Sequence, residues 1–139
     1  MFRTADALGV EKLYLCGITP TPENDAVRKT SLGAEESVQW EYARDAVNLA
    51  KRLKAEGFAL WGLEQDERAV RLGGTEKRIL TTEEAEKRIA LVVGNEVTGV
   101  DPALLDLCDQ IVYIPMQGGK RSLNVEVAFA IAAWVINEH

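Results

Sequence analysis

Apolar residues recur along this chain in two different periods, and their alternation predicts the order of its elements. Short, nearly unbroken apolar runs stand at Lys12–Cys16 (KLYLC), Phe58–Leu63 (FALWGL), Ile89–Val93 (IALVV) and Gln110–Ile114 (QIVYI). Each has the length of a strand, and an apolar residue at nearly every position is what a parallel sheet covered on both faces requires. Between them the spacing turns helical. Asp45–Glu56 places Ala46, Leu49, Ala50 and Leu53 on one face and stops at Gly57. Arg3–Leu8 reads as a short helix closed by Gly9 in a left-handed cap, and Pro102–Leu107 as another with Asp101 as its N-cap. The last helix, from about Leu123 to Asn137, is apolar nearly all round, which predicts cover on more than one side, part of it from a second subunit.

Three segments escape this alternation. Residues 17–33 contain two prolines and two glycines and are predicted to form a long loop. Ser37–Tyr42 mixes polar and apolar positions and fits no single period. Glu64–Arg88 is highly charged and contains Gly73-Gly74; it reads as an exposed connection with one or two helical turns near Thr82–Lys87, where Thr81 and Glu84 fit a capping box. Strands alternating with helices imply an α/β fold with a mostly parallel sheet. Periodicity alone would make that sheet an unknotted doubly wound one, since knots are rare.

Composition narrows the chemistry. A length of 139 residues, 47% of them apolar, suits one core, and a single unit spanning 1–139 is expected. No apolar run approaches the roughly 20 residues that cross a bilayer, and no basic stretch followed by an apolar one opens the chain, so a soluble, cytoplasmic protein without membrane attachment is expected. Cys16 and Cys108 are far apart in apolar surroundings, which suits free buried thiols and not a disulfide framework or a metal site. The sole histidine, His139, is the last residue, which removes most histidine-based acid–base schemes and His-rich metal sites. A net charge of −6 weakens long-range attraction to a polyanion, leaving any such attraction to local basic pairs such as Arg28-Lys29 and Lys120-Arg121.

In open α/β sheets ligands bind beyond the carboxyl ends of the strands, and two unusual loops begin there. After Ile89–Val93 come Gly94-Asn95-Glu96 and then Gly99, glycines that permit close backbone approach or positive φ. Within residues 111–127 (IVYIPMQGGKRSLNVEV) a buried strand passes through a polar, glycine-containing loop into a helix. Taken singly these glycines could equally make ordinary tight turns. Taken together, Gly94-Asn95-Glu96, Ile114-Pro115-Met116 and Ser122-Leu123-Asn124-Val125, preceded by Arg3-Thr4-Ala5 and Gly9, resemble the signature motifs of the SpoU/TrmH branch of the SPOUT RNA methyltransferases.

That resemblance implies a mostly parallel sheet flanked by helices with a C-terminal trefoil knot, and a homodimer. It implies transfer of a methyl group from S-adenosylmethionine to a ribose 2′-hydroxyl of tRNA or rRNA, with no metal. Matched by motif, Gly94, Ile114 and Leu123 would contact the cofactor through backbone groups, with Val93, Met116 and Ser122 beside them. Arg3, Glu96 and Asn124 match the catalytic positions, and Arg28, Lys29, Lys120 and Arg121 become candidates for RNA contact. The Arg3 guanidinium suits a phosphate contact or stabilisation of a developing alkoxide; its use as a base stays open. Glu96 could orient Arg3 or another basic group, and the Asn124 amide can both donate and accept.

Two features depart from the family pattern. The family's strand and asparagine ahead of the motif-one arginine are not found before Arg3, and Glu126 stands where serine is common. An alternative expectation is therefore a truncated, catalytically weak or inactive SPOUT-fold module that binds RNA or S-adenosylmethionine; a third is a generic nucleotide-binding domain.

Overall fold

In a computed structural model of the chain, the residues described are 2–16, 38–72, 88–94, 99–119 and 123–137. They belong to two compact units, 1–46 and 47–139.

The first unit contains helix α1 (Phe2–Ala7) and strands β1 (Lys12–Cys16) and β2 (Gln39–Ala43). Phe2 and Ala5 form the buried face of α1. The helix ends as its sequence predicts: Gly9 takes φ 72°, its N–H donates to the Asp6 carbonyl, and the Val10 N–H donates to the Ala5 carbonyl, the paired bonds of a Schellman cap. β1 pairs in parallel with β2, Leu13 opposite Trp40 and Leu15 opposite Tyr42. The ambiguous Ser37–Tyr42 stretch is thus mainly strand, because Lys12 holds Glu41 across the ladder at 3.2 Å and also lies over the Tyr14 ring.

The second unit is a four-stranded sheet ordered β4-β6-β3-β5, built from β3 (Ala59–Leu63), β4 (Val70–Arg71), β5 (Ile89–Val93) and β6 (Gln110–Tyr113), with every described pairing parallel. Helices α2 (Ala46–Ala55), α3 (Pro102–Leu107) and α4 (Val125–Asn137) flank it. α2 buries Leu49, Ala50 and Leu53, three of the four residues its periodicity selects, and closes on Gly57 with a second Schellman cap.

Alternation along the strands divides the core between two faces. Ala59, Trp61, Leu72 and Val112 pack with Ala132 of α4, while Ile111 packs with Val100 and Leu105 of the α3 side. The central position of β3 explains why FALWGL is apolar almost throughout. Trp61 is 1% exposed, and its indole Nε1 finds no hydrogen-bond partner among the described residues. An unpaired buried donor costs about 1–3 kcal/mol, which the large apolar area of the ring offsets.

Two expectations need correction. Ile89–Val93 is half-buried and not fully buried, because β5 lies at the end of the sheet order. The Glu64–Arg88 connection contains the short strand β4, and Glu64 itself is half-buried; its expected turns near Thr82–Lys87 lie outside the described residues. Helix α4 buries one side through Phe129, Ala132 and Ala133, while Val127, Ile131 and Trp134 are exposed in this single chain, on the side for which cover by a second subunit is expected.

Cys16 and Cys108 are free thiols, half-buried and not fully buried. Burial, and secondarily the Asp109 carboxylate, push the Cys108 thiol from the ordinary 9.0 up to about 11. A raised folded-state value means the neutral thiol is favoured in the native protein, so its contribution to stability is complete below pH 9.0 and lost as pH rises toward about 11. Native Cys108 should accordingly alkylate slowly at neutral pH, and Cys108→Ala should flatten the alkaline decline of denaturant-measured stability.

Candidate functional site

The sheet brings the ends of three strands together. Leu63, the last residue of β3, stands opposite Val93 of β5 on one side and Val112 of β6 on the other. The next residue, Glu64, donates its N–H to the Val112 carbonyl at 3.0 Å, which holds the exit of β3 against β6.

Beyond β5 the backbone makes its closest approach. A Cβ built on Gly94 would fall on the Gly99 carbonyl group and the Val100 nitrogen, so no other residue fits without moving backbone. Gly99 has φ +72°, and a Cβ there would strike the Glu64 carboxylate. The same carboxylate accepts from the Val100 N–H at 2.8 Å through Oε2 and from the Gln65 N–H at 3.0 Å through Oε1. Gln65 in turn donates from Nε2 to the Ile114 carbonyl at 3.2 Å. Asp101 then caps α3 by accepting from the Ala103 N–H at 2.9 Å.

Several residues selected from sequence meet at this end of the second unit. Val93 and Gly94 are half-buried at the exit of β5. Ile114 follows β6, packs its side chain on the core and presents its carbonyl to Gln65; Met116, two residues on, is half-buried. Leu123 is exposed, and Asn124 stands before α4, where its Oδ1 accepts from the Glu126 N–H at 2.9 Å and its carbonyl from the Ala128 N–H. Arg3 is exposed on α1 of the first unit. Glu96, Ser122, Arg28, Lys29, Lys120 and Arg121 lie outside the described residues.

Sequence reasoning missed Glu64 and Gln65, although a signal was present: Glu64 is the first charged residue after the apolar run Phe58–Leu63, at its carboxyl end. Nearby, Arg68 bonds Asp66 at 3.0 Å and Asp106 of α3 at 3.0 Å, an exposed brace on the same turn. Its side-chain hydrogen bond, then its backbone one, holds the Asp66 carboxyl below the usual range. No group of three or more His, Cys, Asp or Glu among the described residues is arranged to hold a metal.

This arrangement of strand ends and close glycine turns agrees with what comparison with known proteins finds. The model of the SpoU rRNA Methylase family matches residues 1–134. The chain belongs to that family. Among curated SpoU relatives, it is 34% identical over 134 residues to the 23S rRNA (guanosine(2553)-2′-O)-methyltransferase RlmP of Bacillus subtilis, covering 96% of this chain and 50% of that protein. It is 31% identical to the 23S rRNA (guanosine-2′-O-)-methyltransferase RlmB of Acinetobacter baylyi, over 95% of this chain and 50% of that one. The chain thus spans about half the length of these curated relatives. Among solved structures, the A. aeolicus TrmH/SpoU tRNA modifying enzyme matches with a TM-score of 0.81 at 29% identity, over 99% of this chain and 65% of that one. An AdoMet-bound rRNA methyltransferase from Sinorhizobium meliloti shares the fold at a TM-score of 0.86 and 23% identity, over 99% of this chain and 49% of that one.

In this SpoU chain the contact between Gly94 and Gly99 is the most demanding packing at the site. Gly94→Ala should cost about 1–3 kcal/mol, the usual range for an added methyl in a filled space, measured by urea denaturation. A variant as stable as the parent would show that the turn relaxes freely.

Proposed function

We propose that residues 1–139 make a SpoU/TrmH-type methyltransferase domain, with the family's C-terminal knot, that transfers a methyl group from S-adenosylmethionine to a ribose 2′-hydroxyl of tRNA or rRNA. The observation that carries this reading is the joining of the Gly99–Val100 peptide, packed on Gly94, to the Ile114 carbonyl by Glu64 and Gln65 beyond the strand ends, in a chain whose family match covers 1–134. RNA ribose methylation is the named activity of the RlmP and RlmB relatives, and AdoMet is bound in the Sinorhizobium meliloti fold neighbour. Their activity is extended to this chain here as a proposal.

The residues fit the cofactor. Gly94 is packed on the Gly99–Val100 peptide with no room for a Cβ, so backbone alone forms the exit of β5, while half-buried Ile114 and Met116 and exposed Leu123 offer apolar area. Val93, Gly94, Ile114, Met116, Ser122 and Leu123 would hold it. Bound S-adenosylmethionine supplies a methyl already activated by its sulfonium. The chain's own task is then mainly to align acceptor and donor. Arg3 is assigned to stabilising charge on the acceptor oxygen or its neighbouring phosphate, and Glu96 to orienting a basic group. Asn124, which caps α4 with its side-chain oxygen, is assigned to bracing the loop or orienting the ribose. Arg28, Lys29, Lys120 and Arg121 would supply the local positive charge that a net −6 withholds from RNA.

We assign the exposed stripe on α4 to a homodimer interface. Val127, Ile131 and Trp134 are 48%, 39% and 57% exposed at helical spacing, so an apolar ridge faces outward from a helix whose other side is packed. We place the enzyme in the cytoplasm because its proposed substrate is tRNA or rRNA; no helix among the described residues is long and apolar enough to cross a membrane. A second reading, cofactor or RNA binding without turnover, draws on the acidic balance.

Calorimetric titration should show saturable binding of S-adenosylmethionine and S-adenosylhomocysteine that Leu123→Asp abolishes, and methyl label should appear on ribose 2′-oxygens of an RNA pool. Binding without label on any RNA would select the second reading; absence of binding would reject both. Analytical ultracentrifugation should show a dimer that Trp134→Glu converts to monomer, whereas a parent that sediments as monomer removes the interface assignment.

A further inference from the structure

We infer that Glu64 and Gln65 are positioning residues that fix the spacing of the two cofactor loops, Glu64 by holding the Gly99–Val100 turn and Gln65 by holding the Ile114 carbonyl. The inference rests on the S-adenosylmethionine reading above and adds to it two residues outside all three signature motifs.

Its basis is geometric. Glu64 and Gln65 leave the central strand, with β5 on one side and β6 on the other, so their side chains can reach the exits of both neighbours. Glu64 takes the β5 side: Oε2 accepts from Val100 N–H at 2.8 Å, and the carboxylate occupies the space that a Cβ on Gly99 would need. Gln65 takes the β6 side, donating to Ile114 O at 3.2 Å. The two side chains are joined within the strap, since the Gln65 N–H donates to Glu64 Oε1, and the strap is anchored to β6 by the Glu64 N–H on Val112 O.

This chain of bonds links Val100, 36 residues away in sequence from Glu64, to Ile114, 49 away from Gln65. A ligand held mainly by peptide groups depends on the relative placement of those groups, because each misplaced donor or acceptor loses its bond without any side chain able to follow the ligand. The strap sets that placement before the ligand arrives. The exposed Arg68 bridge between Asp66 and Asp106 steadies the same turn against α3. Gln65 also limits what Ile114 can do: its Nε2 engages one lone pair of the carbonyl, leaving the second as the acceptor for a ligand donor.

The test compares S-adenosylhomocysteine affinity by calorimetry with thermal melting for the parent, Gln65→Ala, Glu64→Ala, Glu64→Gln and, as a control on the same turn, the exposed Glu67→Ala. Gln65→Ala should melt with the parent and bind about five- to tenfold more weakly, the equivalent of one net hydrogen bond. Glu64→Ala should bind more weakly still, and Glu64→Gln should recover part of the loss, because its amide oxygen can accept from Val100 while its NH2 cannot accept from the Gln65 N–H. Glu67→Ala should match the parent. If Glu64→Ala does not fold, Gln65→Ala and Glu64→Gln decide the question. Parental affinity in both alanine variants, or an equal loss in Glu67→Ala, overturns the positioning role while leaving the cofactor reading intact. A parent that binds no S-adenosylhomocysteine removes the cofactor reading and the strap's role with it.

Discussion

The peptide of Gly99–Val100 lies against Gly94 with no space for a side chain between them, and the organisation of the second unit depends on that contact. It turns the chain back on itself at the exit of β5, and it brings Val100 into the core beneath α3. It also sets Asp101 where its carboxylate can cap the next helix. The contact would leave the Val100 N–H inside the turn without a strand partner, and Glu64 supplies the acceptor. An unmade bond there would cost about as much as a whole cap contributes, on the order of 1–3 kcal/mol. Backbone proximity, positive φ at Gly99 and the Glu64 carboxylate therefore form one unit, and altering any member disturbs the other two.

Most of the fold was legible because its signals are local. Four apolar runs became strands, Gly9 and Gly57 became left-handed caps, and Asp101 became an N-cap, each determined by a few adjacent residues. What escaped depends on partners distant in sequence. Gln39–Ala43 is a strand because β1 pairs with it, and its own mixed composition does not say so. Val70–Arg71 is two residues long and exists through pairing with β6. The half-burial of Ile89–Val93 follows from strand order, which periodicity cannot give.

The site divides in the same manner. Gly94 and Ile114 could be found because motif and strand end coincide, and the structure brings both to the edge of β3. Glu64 and Gln65 were passed over despite standing at a strand's carboxyl end, because a carboxylate opening a charged stretch looks like the beginning of a solvated loop. Its role appears when a bond to a residue in another strand's exit is seen. Asn124 shows the converse: its side chain has a structural use as a helix cap that the motif match alone does not reveal, and a cap residue and a site residue are compatible because the amide has two ends.

Helix α4 and the central strand place two tryptophans at opposite limits of hydration, Trp61 at 1% and Trp134 at 57% exposed. The indole of Trp61 is buried with no described hydrogen-bond acceptor at its nitrogen, so polar surroundings cannot relax its excited state and its emission is expected to the blue. Trp134 is expected to emit to the red and to meet dissolved quenchers in an isolated subunit, and to be shielded from them in the proposed dimer. With half-buried Trp40 on β2 as the third, the intrinsic fluorescence of this protein is thus a composite of three signals, whose extremes come from the interior of its sheet and from the outward ridge of its last helix.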